Sequence, residues 1–579
     1  MKGDGFTNPA LEAFASLGAY GKHESNQERD LHRWLSNLYG LKMKPYHLRL
    51  TLPTTSDMKP QMLHIPVLPV HWYLHQLFLF GAPFEEHVLG GRPHSCVREF
   101  WENLAEEEPP GHPGRHWVLE RPELWDSMIP LFFHVDGAAS NKSTEMVIWS
   151  WCTPFAKGES LDTKFLIGWV PHENMPTSEH LDYVNEEMAG FIAACMQQAE
   201  TNLGESHAYY GEAHSEDSLG FDLANQQIAG GWKCCFFGFK SDRKARRETH
   251  RFAAGPGSTF VCELDAAVQG FKKAPKHLLF GDARLTAAWR DTDMTHAAYL
   301  RHTPANKLSP WCKVRGWGIH RNCDDLLHDL YLGVGPDIIG SALVEMAVDL
   351  SSLDPLFASE CPDFNGADID VPLKFLYLKC RAWCREHKLT GPPKVWTLQC
   401  LGLGDSPHAY PTLSGIKGAH CKIILVWLQA VASEYPARDD YSTMRCACLS
   451  ALATFMHTLD SADLWLTRGE QRAAFKSGHL WLLSMQWLAG EALKRRALVW
   501  KLRPKWHYLT HTVFRLQRSR LNPRFQHTFQ EEDFMGKLAK LCRKCPQKNQ
   551  TTRFAQRYLL NLAVRTHQLK RRNAERGRL

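Results

Sequence analysis

Apolar and polar positions alternate in blocks along the chain, and the blocks change character twice. Residues 128–137 (MIPLFFHVDG), 145–155 (EMVIWSWCTPF) and 163–171 (TKFLIGWVP) are short apolar runs rich in β-branched and aromatic residues, separated by AASNKST and AKGESLD. Three such runs joined by short polar connectors predict an antiparallel meander, which needs helices to cover it. The stretch 178–201 (SEHLDYVNEEMAGFIAACMQQAET) supplies one, with apolar residues at helical spacing and an acidic opening turn. A further run, GGWKCCFFGFKSD at 230–242, predicts another strand ending on Asp242. Upstream, residues 1–120 read as mainly helical and irregular, with an amphipathic stretch at 28–41 and a linker, EEEPPGHPGRH, at 106–116. Beyond about residue 340 the pattern is almost wholly helical, and no fixed-period repeat marks a solenoid. The reading is therefore α+β, with segments 1–120, 121–335, an all-α block 336–505, and 506–579.

Composition keeps this within the globular class: 44% of the 579 residues are hydrophobic and 22% charged. MKGDGFTNPALEAF lacks the apolar core of a secretory signal. The best apolar run read from the sequence, CKIILVWLQAVA at 421–432, is shorter than the roughly 18 residues of a membrane span, so no membrane association is expected. Seventeen cysteines without a repeated spacing suit reduced thiols in an intracellular compartment. The net charge of +6 is unevenly spread. From Phe534 onward there are thirteen Lys or Arg against one acid, Glu575, so the tail carries +12 and the rest −6. Such a tail meets phosphates by charge alone, although it also suits a soluble helix with a frayed basic end. LKRRNAERGR, containing Lys570, Arg571 and Arg572, is a nuclear-import candidate and points to the nucleus.

Four acidic features stand out. Asp136 closes LFFHVDG, where Leu131, Phe133 and Val135 share one face and His134 and Asp136 the other. A half-buried carboxylate there needs a cation or a donor, or else Asp136 simply opens an Asp-Gly turn. Asp242 precedes RKARRETH and is equally readable as a helix N-cap. In NCDDLLHDLYLGVG (322–335), Asp325 and His328 are three apart and face the same way on a helix. Glu531, Glu532 and Asp533 open an amphipathic helix, where acids are also favoured by the macrodipole.

In this order the features resemble the DDE/D transposases of RNase H-like fold, including the CACTA, hAT and P-element groups. FHVDG, FKSDRKARRETHRF, LSPWCKVRGWGIHRNCDDLLHDLYLGVGPDIIGSALV, RPKWHYLTHTV and FQEEDFMGKLAKL are similar to transposon-derived proteins of dinoflagellates over roughly residues 30–567. The resemblance implies an RNase H-like mixed sheet interrupted by a large all-helical insertion. It further implies Asp136, Asp242 and Glu532 as catalytic acids and ligands of Mg²⁺ or Mn²⁺, supported by Asp325 and His328. The chemistry would be two-metal cleavage and strand transfer of DNA phosphodiesters, for which hard carboxylate oxygens suit the cation. Arg243, Lys244, Arg246 and Arg247 would hold the strand by its phosphates, and homo-oligomers are a further implication.

The chain departs from the family where KSD replaces Gly-Asp and where Cys-x-x-Cys becomes CELD, Cys262 to Asp265. Half of a possible zinc pair is thereby lost, and neither Cys380, Cys384 and His387 nor Cys542 and Cys545 has a second pair, so zinc is not expected. With no zinc finger or helix-turn-helix near the N-terminus, the sequence also suits a degraded copy. The alternatives are a catalytically inactive nucleic-acid-binding protein and a helical interaction scaffold.

Overall fold

The computed structural model describes residues 31–576 apart from 32–33, 36, 54–60, 140–144, 217, 255–257, 271–274, 405–407, 436 and 546–549. Six strands form one mixed sheet: β1 (Tyr46–Leu52), β2 (Gln61–Val67), β3 (Met128–Ala139), β4 (Glu145–Cys152), β5 (Phe165–Pro171) and β6 (Lys233–Lys240). Their order is β1-β2-β5-β4-β3-β6, and every neighbouring pair is antiparallel except β3 and β6. The expected meander is thus β3-β4-β5, with the later apolar run beside β3 as its parallel neighbour. Residues Met128–Val135 of β3 are buried on both faces, which is why that strand reads as a continuous apolar run rather than an alternation.

Within residues 1–120, of which 1–30 lie outside the described residues, the helices come with an element the pattern did not suggest, the β1–β2 hairpin that extends the sheet past β5. The cause is visible in YHLRLTL, where Tyr46, Leu48, Leu50 and Leu52 alternate with His47, Arg49 and Thr51 at the strand period of two, and Leu48 and Leu52 are buried.

Helices α1 (Val70–Phe80), α2 (Ser95–Glu107) and α3 (Ser178–Thr201) accompany the sheet. The side chain of Thr177 accepts from His180 N at 3.2 Å to start α3, and Asn202, left-handed at φ 60°, ends it. After β6 comes α4 (Arg243–His250), then a long stretch of short turns, and then a π-helical segment, Leu327–Val334, that runs into α5 (Gly335–Leu353). By length and composition Leu327–Leu353 could cross a membrane, but 78% of its most apolar stretch is buried inside the protein, and it serves as a core helix. The all-α block continues with α6 (Asp370–Glu386), α7 (Gly418–Glu434), α8 (Asp440–Ser461) and α9 (Arg468–Lys494). α10 (Pro504–Arg515) packs against Leu327–Val334 and α9, and two further helices return to the sheet: α11 (Phe529–Arg543) and α12 (Gln550–Arg576). Much of the basic tail is therefore an anchored helix. Phe554 of α12 meets Trp169 of β5 edge-on at 4.7 Å between ring centroids, and Arg565 binds Asp162 at 2.6 Å.

Candidate functional site: an acid cluster and a Cys-Asp-His-His group

The parallel pairing of β3 and β6 sets His134 opposite Lys240, so Asp136, still within β3, and Asp242, just past the end of β6, each two residues further on, lie toward the same end of the sheet. Asp136 Oδ1 accepts from Gly137 N at 2.7 Å, and Asp242 Oδ1 accepts from Ala245 N at 2.6 Å as the N-cap of α4. Asp242 is thus the helix cap that its sequence suggests, whereas Asp136 opens no turn and stays inside β3, opposite Ile148 of β4. The third acid comes from the first turn of α11. That turn is placed by Asp325, whose Oδ1 accepts from Thr528 N at 3.0 Å and whose Oδ2 accepts from Thr528 Oγ1 at 2.6 Å. Asp325 Oδ2 also lies 2.6 Å from His328 Nδ1, and His328 Nε2 lies 3.5 Å from Glu532. The Asp-x-x-His pair is thus a buttress that fixes where Glu532 stands.

Three carboxyls meet there with little to neutralise them. Burial pushes Asp136 well above the usual carboxylate range, and the charges of Asp242 and Glu532 push it further. Glu532 rises too, through burial, although His328 opposes the shift and a hydrogen bond links it to Asp136. His328 rises as well: burial alone would lower it, but Asp325, helped by Glu532 and Asp242, lifts it to about 9. Burial would raise Asp325, yet His328 and Thr528 hold it at about 2. An imidazolium therefore faces the acids at neutral pH.

Of the acidic triplet, only Glu532 joins this cluster. Successive helical residues turn by roughly 100°, so the three acids point three ways. Glu531 is buried between Lys164 at 3.0 Å and Lys240 at 3.1 Å, while Asp533 binds Lys537 at 2.8 Å and Ser160 Oγ at 2.6 Å. Lys240 and Glu531, chain neighbours of Asp242 and Glu532, reach a cavity of about 460 Å³ whose lining also includes Lys157, Lys164, Arg524 and Asp463.

The predicted phosphate contacts need correction. Arg243 and Arg246 are three apart on α4 and share its inward face. Arg243 pairs with Asp329 at 2.9 Å and Glu263 at 3.1 Å and stacks on Tyr508 with its guanidinium 3.5 Å from the ring centroid. Arg246, 1% exposed, pairs with Glu263 and donates to Cys323 O. Neither can reach DNA. Lys244 is exposed and Arg247 half-buried, so they remain available. In the tail Arg572 is exposed, Lys570 lies over the Phe80 ring at 4.9 Å, and Arg571 binds Glu575 at 2.9 Å. Arg243→Lys is expected to cost about 1.5–3 kcal/mol in thermal or urea unfolding, because an ammonium cannot reproduce the forked, stacked contacts. A stability equal to wild type would show that the fork is dispensable.

A second group was not legible as such. Cys262 and Asp265 lie in the turns after α4, and His507 and His511 stand one turn apart on α10. Their four ligand atoms lie within 4.8 Å of one another, three of the residues are buried, and the group could hold a metal ion. The supposedly lost half of the Cys262 pair is thus replaced by Asp265 and by two histidines from far along the chain. This corrects the reading of CELD as an incomplete site. Among the described residues, no comparable group forms around Cys380 and Cys384 or Cys542 and Cys545. Nor, among the described residues, do Asp136, Asp242 and Glu532 draw their carboxylate oxygens that close together.

Neither a protein-family model nor a curated protein matches the sequence.

Proposed function

We propose that the protein is a DDE-type DNA transposase or nuclease, cutting and rejoining phosphodiester bonds with Asp136, Asp242 and Glu532 as its acids. The observation that carries this reading is that the parallel register of β3 and β6, and the bonds from Asp325 to Thr528, bring Asp136, Asp242 and Glu532 to one region of the sheet. The sheet supports it: an antiparallel meander whose first strand has a later parallel neighbour is the arrangement an RNase H-like core requires, and the all-α block from α5 to α9 separates the second acid from the third.

The donor set suits Mg²⁺ or Mn²⁺, since it consists of hard carboxylate oxygens whose mutual repulsion a cation would relieve. Such cations would supply charge stabilisation at the attacking and leaving oxygens of the phosphate. Every other role falls to the chain. Asp136 is held within β3 and Asp242 by the start of α4, and Asp325 and His328 position Glu532 through Thr528. Lys157, Arg524, Lys244, Arg247 and Arg572 offer cations to the backbone of the bound strand. We assign DNA as partner and the nucleus as location on the same ground.

The test uses the full chain with supercoiled plasmid. Nicked and linear products are expected with MgCl₂ or MnCl₂ and not after chelation. Unconverted plasmid with both cations, under conditions where the chain binds it, would reject the enzyme and leave a nucleic-acid-binding protein. Lys244→Ala should weaken binding evenly across sequences and lower the slope of log affinity against log salt by about one. An unchanged slope would remove Lys244 from the interface.

A further inference from the structure

We propose that Cys262, Asp265, His507 and His511 bind one zinc ion that pins the turns after α4 to α10. The donor atoms already sit at the spacing of a coordination shell. Asp265 Oδ2 is 3.0 Å from His507 Nε2 and 2.9 Å from His511 Nε2, the two Nε2 atoms are 3.2 Å apart, and Cys262 Sγ is 3.5 Å from His511 Nε2. A tetrahedron with metal–ligand bonds of ~2.1 Å has edges of ~3.4 Å.

The surroundings orient the ligands. Leu264 N donates to Cys262 Sγ at 3.3 Å, which favours the thiolate, and Ala267 N donates to Asp265 Oδ1 at 2.8 Å, which leaves Oδ2 turned toward the histidines. Thiolate and imidazole donors select zinc over Mg²⁺, and four protein ligands close the shell, so the ion is structural and leaves no place for substrate. On binding, the Cys262 thiol releases its proton to solvent.

The fold gives such a clamp something to do. Between α4 and Leu327 the described residues form short helices and turns, so little regular structure holds them in place. The helix it is tied to also touches the acid buttress: Lys505 Nζ donates to His328 O at 2.8 Å, and Arg515 pairs with Asp324 at 3.3 Å. Tyr508, between the two histidines, donates to Val261 O and underlies Arg243.

The proposal is independent of the phosphodiester reading and is tested without activity. Full-length protein, stripped with a chelator and reloaded with zinc alone, should hold one zinc per chain by elemental analysis and melt at a higher temperature than the stripped form. Cobalt alone should give the visible bands of a tetrahedral ion and a thiolate charge-transfer band that Cys262→Ser removes. His511→Ala should lower zinc affinity more than ~100-fold, beyond the range for losing a mere orienting partner. Asp265→Cys should keep one zinc and strengthen the thiolate band. A chain that melts cooperatively yet takes up neither ion would overturn the proposal, as would zinc binding that both Cys262→Ser and His511→Ala leave intact. Zinc held by Asp265→Cys but not by wild type would also reject it, since the native set would then be a proton-sharing cluster.

Discussion

Asp136→Asn is expected to abolish metal-dependent strand cleavage, lowering its rate on the order of 10³-fold or more, while DNA affinity stays at the wild-type level. A bound cation supplies several kcal/mol of charge stabilisation to the transition state, and each ~1.4 kcal/mol is a decade in rate. The amide keeps the shape of the carboxyl and the contact to Gly137 N but brings no charge to a cation. Stability should move in the opposite direction to activity. The folded protein raises the Asp136 pKa through burial and the charges of Asp242 and Glu532, so at neutral pH, above the ordinary carboxylate range, this group opposes folding. A neutral amide removes that opposition, and the cation-free variant should melt at the wild-type temperature or above it. Plasmid nicking at saturating Mn²⁺ and a thermal melt in chelator measure the two effects. Retained cleavage would remove Asp136 from the chemistry, whereas lost cleavage with a lowered melting temperature would mark a structural defect.

How far the sequence carries can be judged residue by residue. The three runs that become β3, β4 and β5, and the helix Ser178–Thr201, were legible because their apolar periods are regular and their connectors short. Asp242 was legible in its local role, since a helix cap is decided within four residues. Its approach to Glu532 depends on 290 intervening residues folding out of the way, which no local pattern encodes and which entered only through resemblance. Arg243 and Arg246 were misread because a run of basic residues looks like a solvated face until the helical period sorts it. Positions three apart share one side, and that side meets Asp329, Glu263 and Asp324. His507 and His511 carried a usable signal, the i, i+4 spacing of two ligands on one helix. What hid the site was the search for its other half among nearby cysteines, when Cys262 and Asp265 precede it by more than 240 residues.

Glu531→Gln should separate the neighbours Glu531 and Glu532 by effect, costing about 3–5 kcal/mol of stability where Glu532→Gln costs cleavage and little else. Glu531 is 1% exposed, and its one carboxylate faces Lys164 and Lys240, themselves 5% and 4% exposed. Burial alone would raise the Glu531 pKa, but the two ammonium groups hold it well below the usual carboxylate range, so it is charged at any neutral pH. Its contribution is therefore complete above the ordinary carboxylate pKa and is lost only as pH falls through the depressed value. Replacing it with an amide leaves two buried cations without a counter-charge. Lys240 keeps a partial substitute in the Phe132 ring, 4.8 Å away, whereas Lys164 is left with the side chain of Cys152. Glu532, by contrast, has 44% of its side chain exposed, and the imidazolium it faces, His328, keeps Asp325 as a partner at 2.6 Å. Urea midpoints at neutral pH are the measurement, with Lys164→Met/Lys240→Met/Glu531→Leu as the control. Apolar residues in place of a whole buried ionic group are commonly neutral or stabilising, so the triple variant should recover most of the midpoint that Glu531→Gln loses. If Glu531→Gln unfolds at the wild-type midpoint, the two lysines are not buried as charges, and the cavity they line is then more basic than the ion pairs allow.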